Sequence, residues 1–168
     1  VSGPNLNLLG EREPEIYGRD TLDELVGDAR AVAEAHGHSL DHVQSNHEGE
    51  IVDAIQEARD RCAAIVMNPG AFTHYSLAVR DAIEGSQLPV IEVHQTNIYS
   101  REEFRRHSVL SPVCRTVIAG AGAGGDSHCS SEHARLRAGR EGDGAGLRHA
   151  DGAQCLRPAA GRRPFDRG

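Results

Sequence analysis

Two short apolar runs constrain the fold of this chain more than any other feature of its sequence. Residues 63–67 and 88–93 consist almost entirely of apolar side chains, which is typical of parallel strands buried on both faces of a sheet. Between them, apolar residues at Leu77, Ala78 and Ile83 predict a helix. Strands that alternate with helices in this way predict an α/β fold, in which a parallel sheet carries helices on both faces.

The same alternation extends towards both ends of the chain. Thr21 and Glu24 have the spacing of a capping box, and a helix that begins there can end at Gly37. Its predicted apolar stripe comprises Leu22, Leu25, Val26, Ala29, Val32 and Ala33. The other predicted elements are a strand over 39–44, a helix with Ile51, Val52, Ile55 and Ala58 on its apolar face, a short helix over 101–107 and a last strand over 115–119.

The composition changes near Ala119 and divides the chain into two parts. The residues from Ala119 onward hold most of the glycines and nearly half of the arginines, and Phe165 is their one aromatic residue. They show neither helical nor strand periodicity. We therefore predict a domain over residues 1–120 and a disordered, or only locally ordered, Gly/Ala/Arg-rich tail over residues 121–168.

The charged residues exclude several classes of protein. The formal net charge is −7 and no run of basic residues occurs, so we expect no nucleic-acid partner. All 18 basic residues are arginines, which excludes enzymes that need a lysine nucleophile or a phosphate-loop lysine. No apolar stretch approaches the roughly 20 residues that cross a bilayer, and no signal-peptide pattern is present. These features predict a cytoplasmic protein that does not contact membranes.

The histidines and cysteines do not form a metal-binding pattern. Four histidines straddle a predicted helix end and strand with irregular spacing and without clustered carboxylate or thiolate partners. The four cysteines have no Cys-x-x-Cys spacing, which favours reduced thiols over a disulfide framework. We therefore expect no metal site. The four histidines are His36, His38, His42 and His47, and the four cysteines are Cys62, Cys114, Cys129 and Cys155.

Polar clusters follow the predicted strands. They occupy residues 45–47, 68–70 and 94–97, and the opening segment 3–7 has a similar composition. Because the carboxyl ends of parallel strands meet at one edge of the sheet, where ligands bind, we expect these clusters to share a site.

Two pairs of residues in or near these clusters could carry proton-transfer chemistry. Glu92 and His94 lie two residues apart on a strand, so that Glu92 could orient the imidazole of His94 as an acid or base. The alternative is a structural histidine at a strand end. Arg12 could lower the pKa of the Tyr17 phenol and let it act as a base, and the alternative is a surface tyrosine in a loop.

Other polar residues are candidates for binding an anion. Thr96 and the backbone N–H groups after the third strand could receive a carboxylate. Arg101 and Arg105 are about one helical turn apart and could hold the same anion, although a solvated basic face is the alternative. Asn68 lies in a Pro-Gly turn, where an asparagine often only stabilises the bend.

Five ordered blocks of sequence resemble the type II 3-dehydroquinate dehydratases. The resemblance covers roughly residues 2–120 and implies a flavodoxin-like fold with three αβα layers. It also implies that 3-dehydroquinate loses water by anti elimination through an enolate to give 3-dehydroshikimate, without metal or cofactor, in a homododecamer. Both aromatic amino-acid biosynthesis and quinate breakdown use this step. The blocks are 3–10 with 12–14 and 17–18; 44–49; 68–71 with 73–74; 91–94 with Asn97 and 101–103; and 107–108 with 111–112.

The resemblance implies a catalytic role for five residues. Tyr17 would remove the proton at C2 of the substrate, with Arg12 keeping it phenolate-like. Asn5 would help position a water that stabilises the enolate oxygen. His94, oriented by Glu92, would protonate the leaving C1 hydroxyl group.

The resemblance also implies three groups of substrate-binding residues. The first group holds the substrate carboxylate, the second holds the ring hydroxyl groups, and the third acts from a neighbouring subunit or through a lid. They are, in that order, Asn68, Thr96 and the backbone around Gln95; His74 and Arg105; and Asp81 for the neighbouring subunit with Arg101 for the lid.

From the resemblance we expect departures from the family pattern at both ends. The family's first strand, central in a sheet of order 2-1-3-4-5, is expected to be missing upstream of Ser2, and the tail is expected to lack the usual Gly-Tyr pair and C-terminal helix. We also expect the tail to contain no segment that could fill the gap in the sheet. A flavodoxin-like remnant that only binds an anion or assembles is therefore the alternative to an active enzyme.

Overall fold

The helices and strands follow the predicted alternation. The computed structural model describes residues 1–11, 19–122 and 155–158. Helices in this part of the chain are α1 (Leu22–Ala35), α2 (Glu48–Ala58) and α3 (Leu77–Ser86). Strands are β1 (His38–Asp41), β2 (Ile65–Met67), β3 (Val90–His94), β4 (Thr116–Ala119) and β5 (Cys155–Pro158). Among these residues no helix is long and apolar enough to span a membrane.

The five strands form one sheet in the order β1-β5-β2-β3-β4. Strands β2, β3 and β4 are parallel, whereas β5 is antiparallel to both of its neighbours. The tail therefore supplies a strand, and the prediction that it contains nothing to fill the sheet is wrong for Cys155–Pro158. Backbone pairing on both sides stabilises this segment, and a strand of four residues is too short to show a periodic pattern. The other residues after Gly122 lie outside the described part of the chain.

The first residues of the chain and strand β5 both lie between β1 and β2 and their extensions. Ser2 donates its N–H to the carbonyl of Val43 at 2.9 Å and accepts from the N–H of Ser45 at 3.0 Å. On the other side, Gly3 donates to the carbonyl of Asn68 at 2.8 Å. The opening residues thus pair in parallel with the segments that follow β1 and β2, and β5 pairs with the strands themselves.

Helices cover both faces of the sheet, as predicted. On one face, α1 packs Val26, Ala29 and Ala33 against Leu40 of β1. On the other face, α2 and α3 pack against side chains of β2 and β3 in a larger cluster that includes Ile51, Ile55, Val79, Ile83, Ile65, Met67 and Val90. The result is the predicted three-layer αβα arrangement.

The capping box at the start of α1 is also present. Glu24 donates its N–H to the Thr21 hydroxyl oxygen at 3.3 Å, and its carboxylate accepts from the Thr21 N–H at 2.8 Å. These two hydrogen bonds satisfy backbone and side-chain groups that would otherwise be unpaired at the helix start.

Three details differ from the predictions. Leu77 and Ala78 are exposed, because the Ser76 hydroxyl caps the start of α3 and the buried face begins at Val79. Residues 101–107 form no α-helix but contain a short 3-10 turn. Cys62 is disulfide-bonded rather than reduced, since spacing along the chain does not show which cysteines the fold brings together.

We predict that replacing Leu156 by proline destabilises the protein. Leu156 pairs with Leu40 in the interior of the sheet, where proline removes a backbone donor and is disfavoured. An unsatisfied backbone group costs about 1–3 kcal/mol, so Leu156→Pro should lower the Tm, measured by circular dichroism, by roughly 3–10 °C. Leu156→Val, which keeps the donor, is the matched control. Equal Tm values for the two variants would show that β5 contributes nothing to the sheet.

Candidate active site

A cavity of about 180 Å³ opens at the carboxyl ends of β2 and β3. Its walls come from the opening loop, the turn after β2 and the segment after β3, so three of the four predicted polar clusters share this site. The fourth cluster, residues 45–47, does not line the cavity. Leu6, Leu8, Leu9 and Ile98 provide apolar surface. The predicted site residues that line it are Asn5, Asn68, His74, His94, Gln95, Thr96, Arg101 and Arg105.

Close backbone packing places Asn5 in the wall of this cavity. A side chain at Gly3 would lie 2.3 Å from the carbonyl oxygen of Pro69, so only glycine lets the opening loop approach the turn after β2. Asn5 adopts a left-handed backbone conformation, with φ of 65°, and its N–H donates to Oδ1 of Asn46 at 2.9 Å. The block that resembles the family around residue 46 thus holds the opening loop in place.

Glu92 and His94 form a hydrogen-bonded pair beneath the cavity. Both lie on β3, and their side chains share one face of the strand as predicted. The Glu92 side chain is fully buried, and its Oε1 lies 2.7 Å from Nε2 of His94. This contact engages one ring nitrogen of His94, and among the described residues no group forms a hydrogen bond with Nδ1.

Three hydroxyl groups complete the surroundings of the Glu92 carboxylate. Thr73 donates a short hydrogen bond to Oε1, and Ser108 lies 3.1 Å from the same oxygen. Ser111 donates to Oε2 at 2.5 Å. Ser108 also lies 2.6 Å from the Thr73 hydroxyl, and its single hydrogen can bond to only one of these oxygens. The carboxylate therefore accepts hydrogen bonds from the hydroxyl groups of Thr73 and Ser111 and from the imidazole of His94, and Ser108 lies beside them.

These hydrogen bonds favour the ionised form of Glu92. Burial alone would raise the pKa of its carboxyl group, but the hydrogen bonds from His94, Ser111 and Thr73 outweigh burial and hold the pKa below its ordinary value. An ionised Glu92 accepts a hydrogen bond, so Nε2 of His94 carries a proton. The pair can then hold a second proton on Nδ1 as an imidazolium.

Hydrogen bonds also hold His74 and Asn68 in the cavity wall. Nδ1 of His74 donates to the carbonyl of His107 at 2.8 Å, which leaves Nε2 for a ligand. Oδ1 of Asn68 accepts from the N–H of Gly70 at 3.3 Å, so Asn68 stabilises its turn as well as lining the cavity. Gln95 is buried, and its Oε1 has no hydrogen-bond partner among the described residues.

The two arginines at the cavity face one carboxylate. Nε of Arg101 and Nε of Arg105 lie 3.7 and 3.6 Å from Oε2 of Glu102. The guanidinium of Arg105 also lies 5.4 Å from the ring centre of Phe104. Both arginines line the cavity, where a bound anion could reach them.

One predicted site residue does not line this cavity, and two others are not among the described residues. Asp81 lies exposed on α3, away from the lining residues. Arg12 and Tyr17 lie outside the described residues. Within the described part of the chain, no group of three or more His, Cys, Asp or Glu side chains could hold a metal ion.

Sequence reasoning missed the hydroxyl groups of Thr73, Ser108 and Ser111. Their positions, 16 to 19 residues from Glu92, show no local pattern. The signal that could have found them is their place in the blocks that resemble the family.

The sequence of this chain matches one family of known proteins. The family described as "Dehydroquinase class II" matches residues 1–131. The 3-dehydroquinate dehydratase 2 of Agrobacterium fabrum is 56% identical over 74% of this chain and 85% of its own length. The catabolic 3-dehydroquinase 2 of Neosartorya fischeri is 55% identical over 74% of this chain and 83% of its own length.

A solved structure agrees with these sequence matches. The type II dehydroquinase from Propionibacterium acnes superimposes with a TM-score of 0.77 at 40% identity, and the match covers 80% of this chain and 92% of that chain. The flavodoxin-like fold and the family predicted from the motifs are therefore confirmed. The chain belongs to the class II dehydroquinase family.

Proposed function

We propose that this protein dehydrates 3-dehydroquinate to 3-dehydroshikimate by anti elimination through an enolate. The observation that carries the proposal is the buried Glu92–His94 pair beneath a cavity lined by polar groups. Relatives that are 55–56% identical to this chain are named 3-dehydroquinate dehydratase or catabolic 3-dehydroquinase. Relatives named 3-dehydroquinate dehydratase and relatives named catabolic 3-dehydroquinase match about equally well, at 56% and 55% identity.

In this proposal His94 is the general acid. Ionised Glu92 holds Nε2–H and stabilises the imidazolium form, which donates its Nδ1 proton to the C1 hydroxyl as that group leaves as water. Burial of the pair excludes bulk water from this proton transfer, since the His94 side chain is only 7% exposed.

The base is Tyr17, in the assignment that the family resemblance implies. Its phenolate takes the C2 proton, and the Arg12 guanidinium stabilises the phenolate by its charge. The electron pair moves from the C–H bond into the carbonyl to form the enolate. Asn5, whose backbone is fixed against Asn46, helps to position a water that stabilises the enolate oxygen.

The cavity wall binds the substrate. We assign the carboxylate to Asn68, Thr96 and the backbone at Gln95, all of which line the cavity. We assign the ring hydroxyl groups to His74, which has Nε2 available, and to Arg105. Arg101, at the cavity edge beside Glu102, helps to secure the lid over the bound substrate.

Replacing His94 by alanine should abolish most of the activity. Loss of a general acid typically costs about 10²–10⁴-fold, so kcat of His94→Ala should fall within this range. Turnover is measured by the absorbance of the conjugated product. His36→Ala removes an exposed histidine outside the cavity and should leave kcat unchanged. Binding of 3-dehydroquinate by the wild-type chain without turnover would instead support the impaired remnant.

Replacing Tyr17 by phenylalanine should remove the base but keep the shape of the side chain. We expect kcat to fall by roughly 10²–10⁴-fold, while the Kd for 3-dehydroquinate, measured by calorimetry, changes little. The matched control is Tyr99→Phe, because Tyr99 is 61% exposed and does not line the cavity. Near-normal turnover of Tyr17→Phe would remove Tyr17 from the role of base.

We also propose that the chain assembles into a homododecamer and that Asp81 contributes to a neighbouring subunit's site. Leu77 and Asp81 are four residues apart on α3 and therefore lie on the same face of the helix. Leu77 is 64% exposed and nearby Tyr75 is 60% exposed, an apolar surface that supports contact between copies.

Introducing a charge on this surface should break the assembly. Leu77→Glu should reduce the sedimentation coefficient to that of a smaller species and lower kcat/KM, because Asp81 no longer reaches the neighbouring site. Leu77→Met, which keeps the apolar surface, is the control. An unchanged sedimentation profile for Leu77→Glu would place the contact elsewhere on the molecule.

A further inference from the structure

The segment before β4 engages the oxygen of the Glu92 carboxylate that His94 does not bind. His94 and Thr73 both act on Oε1, whereas Ser111 donates to Oε2 at 2.5 Å. Ser108 lies 3.4 Å from Oε2, so Ser111 provides the close donor to this oxygen. Ser111 does not line the cavity, and its contact with the reaction runs through Glu92.

We infer that Ser111 is a positioning residue, which keeps Glu92 ionised and correctly oriented so that His94 can act as the proton donor. This role rests on the proposed function of the Glu92–His94 pair. It also assigns a purpose to a residue that neither contacts the cavity nor contributes to the apolar core.

The chemistry of the donors explains why this hydroxyl group matters. A carboxylate accepts hydrogen bonds on both oxygens, whereas a protonated carboxyl group must place a hydrogen on one of them. A proton on Oε2 of Glu92 would have to donate to the Ser111 hydroxyl oxygen, so Ser111 would no longer donate to a charged oxygen and a neutral hydrogen bond would replace the stronger one. Ser111 therefore favours the ionised carboxylate, which in turn holds Nε2–H of His94.

Hydrogen bonds hold the backbone of the segment that carries Ser111. The N–H of Ser111 donates to the hydroxyl oxygen of Ser108 at 2.9 Å, and the N–H of Leu110 donates to the same oxygen at 3.1 Å. Val109 of the same segment donates its N–H to the carbonyl of Thr73 at 2.7 Å. The segment that carries Ser111 is thus tied to the segment that carries Thr73.

The other titratable groups near Glu92 should not obscure the effect of Ser111 on the ionisation of Glu92. His94, on the same strand, is the hydrogen-bonded partner, and Cys114 approaches from the segment before β4. Burial, followed by the charge of Glu92, raises the pKa of the Cys114 thiol to about 12, so that it stays neutral in the range of interest. His74, next to Thr73, has its Nδ1 engaged by the carbonyl of His107.

The first experiment follows the ionisation of Glu92 by carbon-13 NMR of its carboxyl group. Loss of the Ser111 hydroxyl destabilises the carboxylate and raises the pKa of Glu92, so Ser111→Ala should move its titration to higher pH by about one unit. Ser111→Thr keeps the hydroxyl and should restore the wild-type titration. Identical titrations for the wild type and Ser111→Ala would overturn the inference, and this result does not depend on turnover.

The second experiment reads the same effect in catalysis with 3-dehydroquinate. A hydrogen bond to a charged group changes rates about tenfold when lost, so kcat of Ser111→Ala should fall about tenfold with KM nearly unchanged. The acid limb of its pH–kcat profile should move to higher pH, because Glu92 gains its proton earlier. A rise in KM with an unchanged profile would indicate a structural role only.

Two further variants separate this role from a general effect on folding. Ser86→Ala removes another buried hydroxyl, which donates to the carbonyl of Ile83 far along α3, and should leave kcat and the pH profile unchanged. In a Glu92→Gln background, Ser111→Ala should change kcat less than about twofold, since the carboxylate is absent. If Ser111→Ala does not fold, Ser111→Cys, a weaker donor, should give an intermediate titration. A wild-type titration for that variant would contradict the inference.

Discussion

The burial of one carboxylate organises the carboxyl edge of this sheet. The side chain of Glu92 is fully buried, and such a charge is stable only when hydrogen-bond donors replace water. The donors come from three parts of the chain: His94 on β3, Thr73 in the turn after β2, and Ser111 in the segment before β4. The need to satisfy this charge therefore ties together segments that are distant in sequence.

The same hydrogen bonds connect a residue proposed to bind the substrate with the residue proposed to donate the proton. Thr73 supports Glu92, and its neighbour His74 lines the cavity with its Nδ1 held by the carbonyl of His107. Ser108, which follows His107, places its hydroxyl group 3.1 Å from Oε1 of Glu92. A residue assigned to bind the substrate and a residue assigned to protonate it thus share one rigid frame, which suits a reaction that requires their alignment.

Local signals in the sequence predicted most of the fold, and long-range contacts account for what they missed. The capping box at Thr21 and the periodic apolar residues of α1 and α2 depend on near neighbours, so the sequence shows them directly. The exposure of Leu77, the insertion of β5 and the hydroxyl groups around Glu92 depend on segments brought together only by the fold. The blocks that resemble the family contain most residues of the cavity wall. The resemblance identified these residues without showing which long-range contacts hold them in place.

A structure of the protein with bound 3-dehydroquinate tests the central claim most directly. If the Glu92–His94 pair is the acid of the reaction, the C1 hydroxyl of the substrate will lie about 2.6–3.2 Å from Nδ1 of His94 while Nε2 stays on Glu92. The substrate carboxylate will then lie between Asn68 and the backbone at Gln95 and Thr96. A substrate bound with its C1 hydroxyl away from His94, or a His94 ring turned off Glu92, would contradict this role for the buried pair.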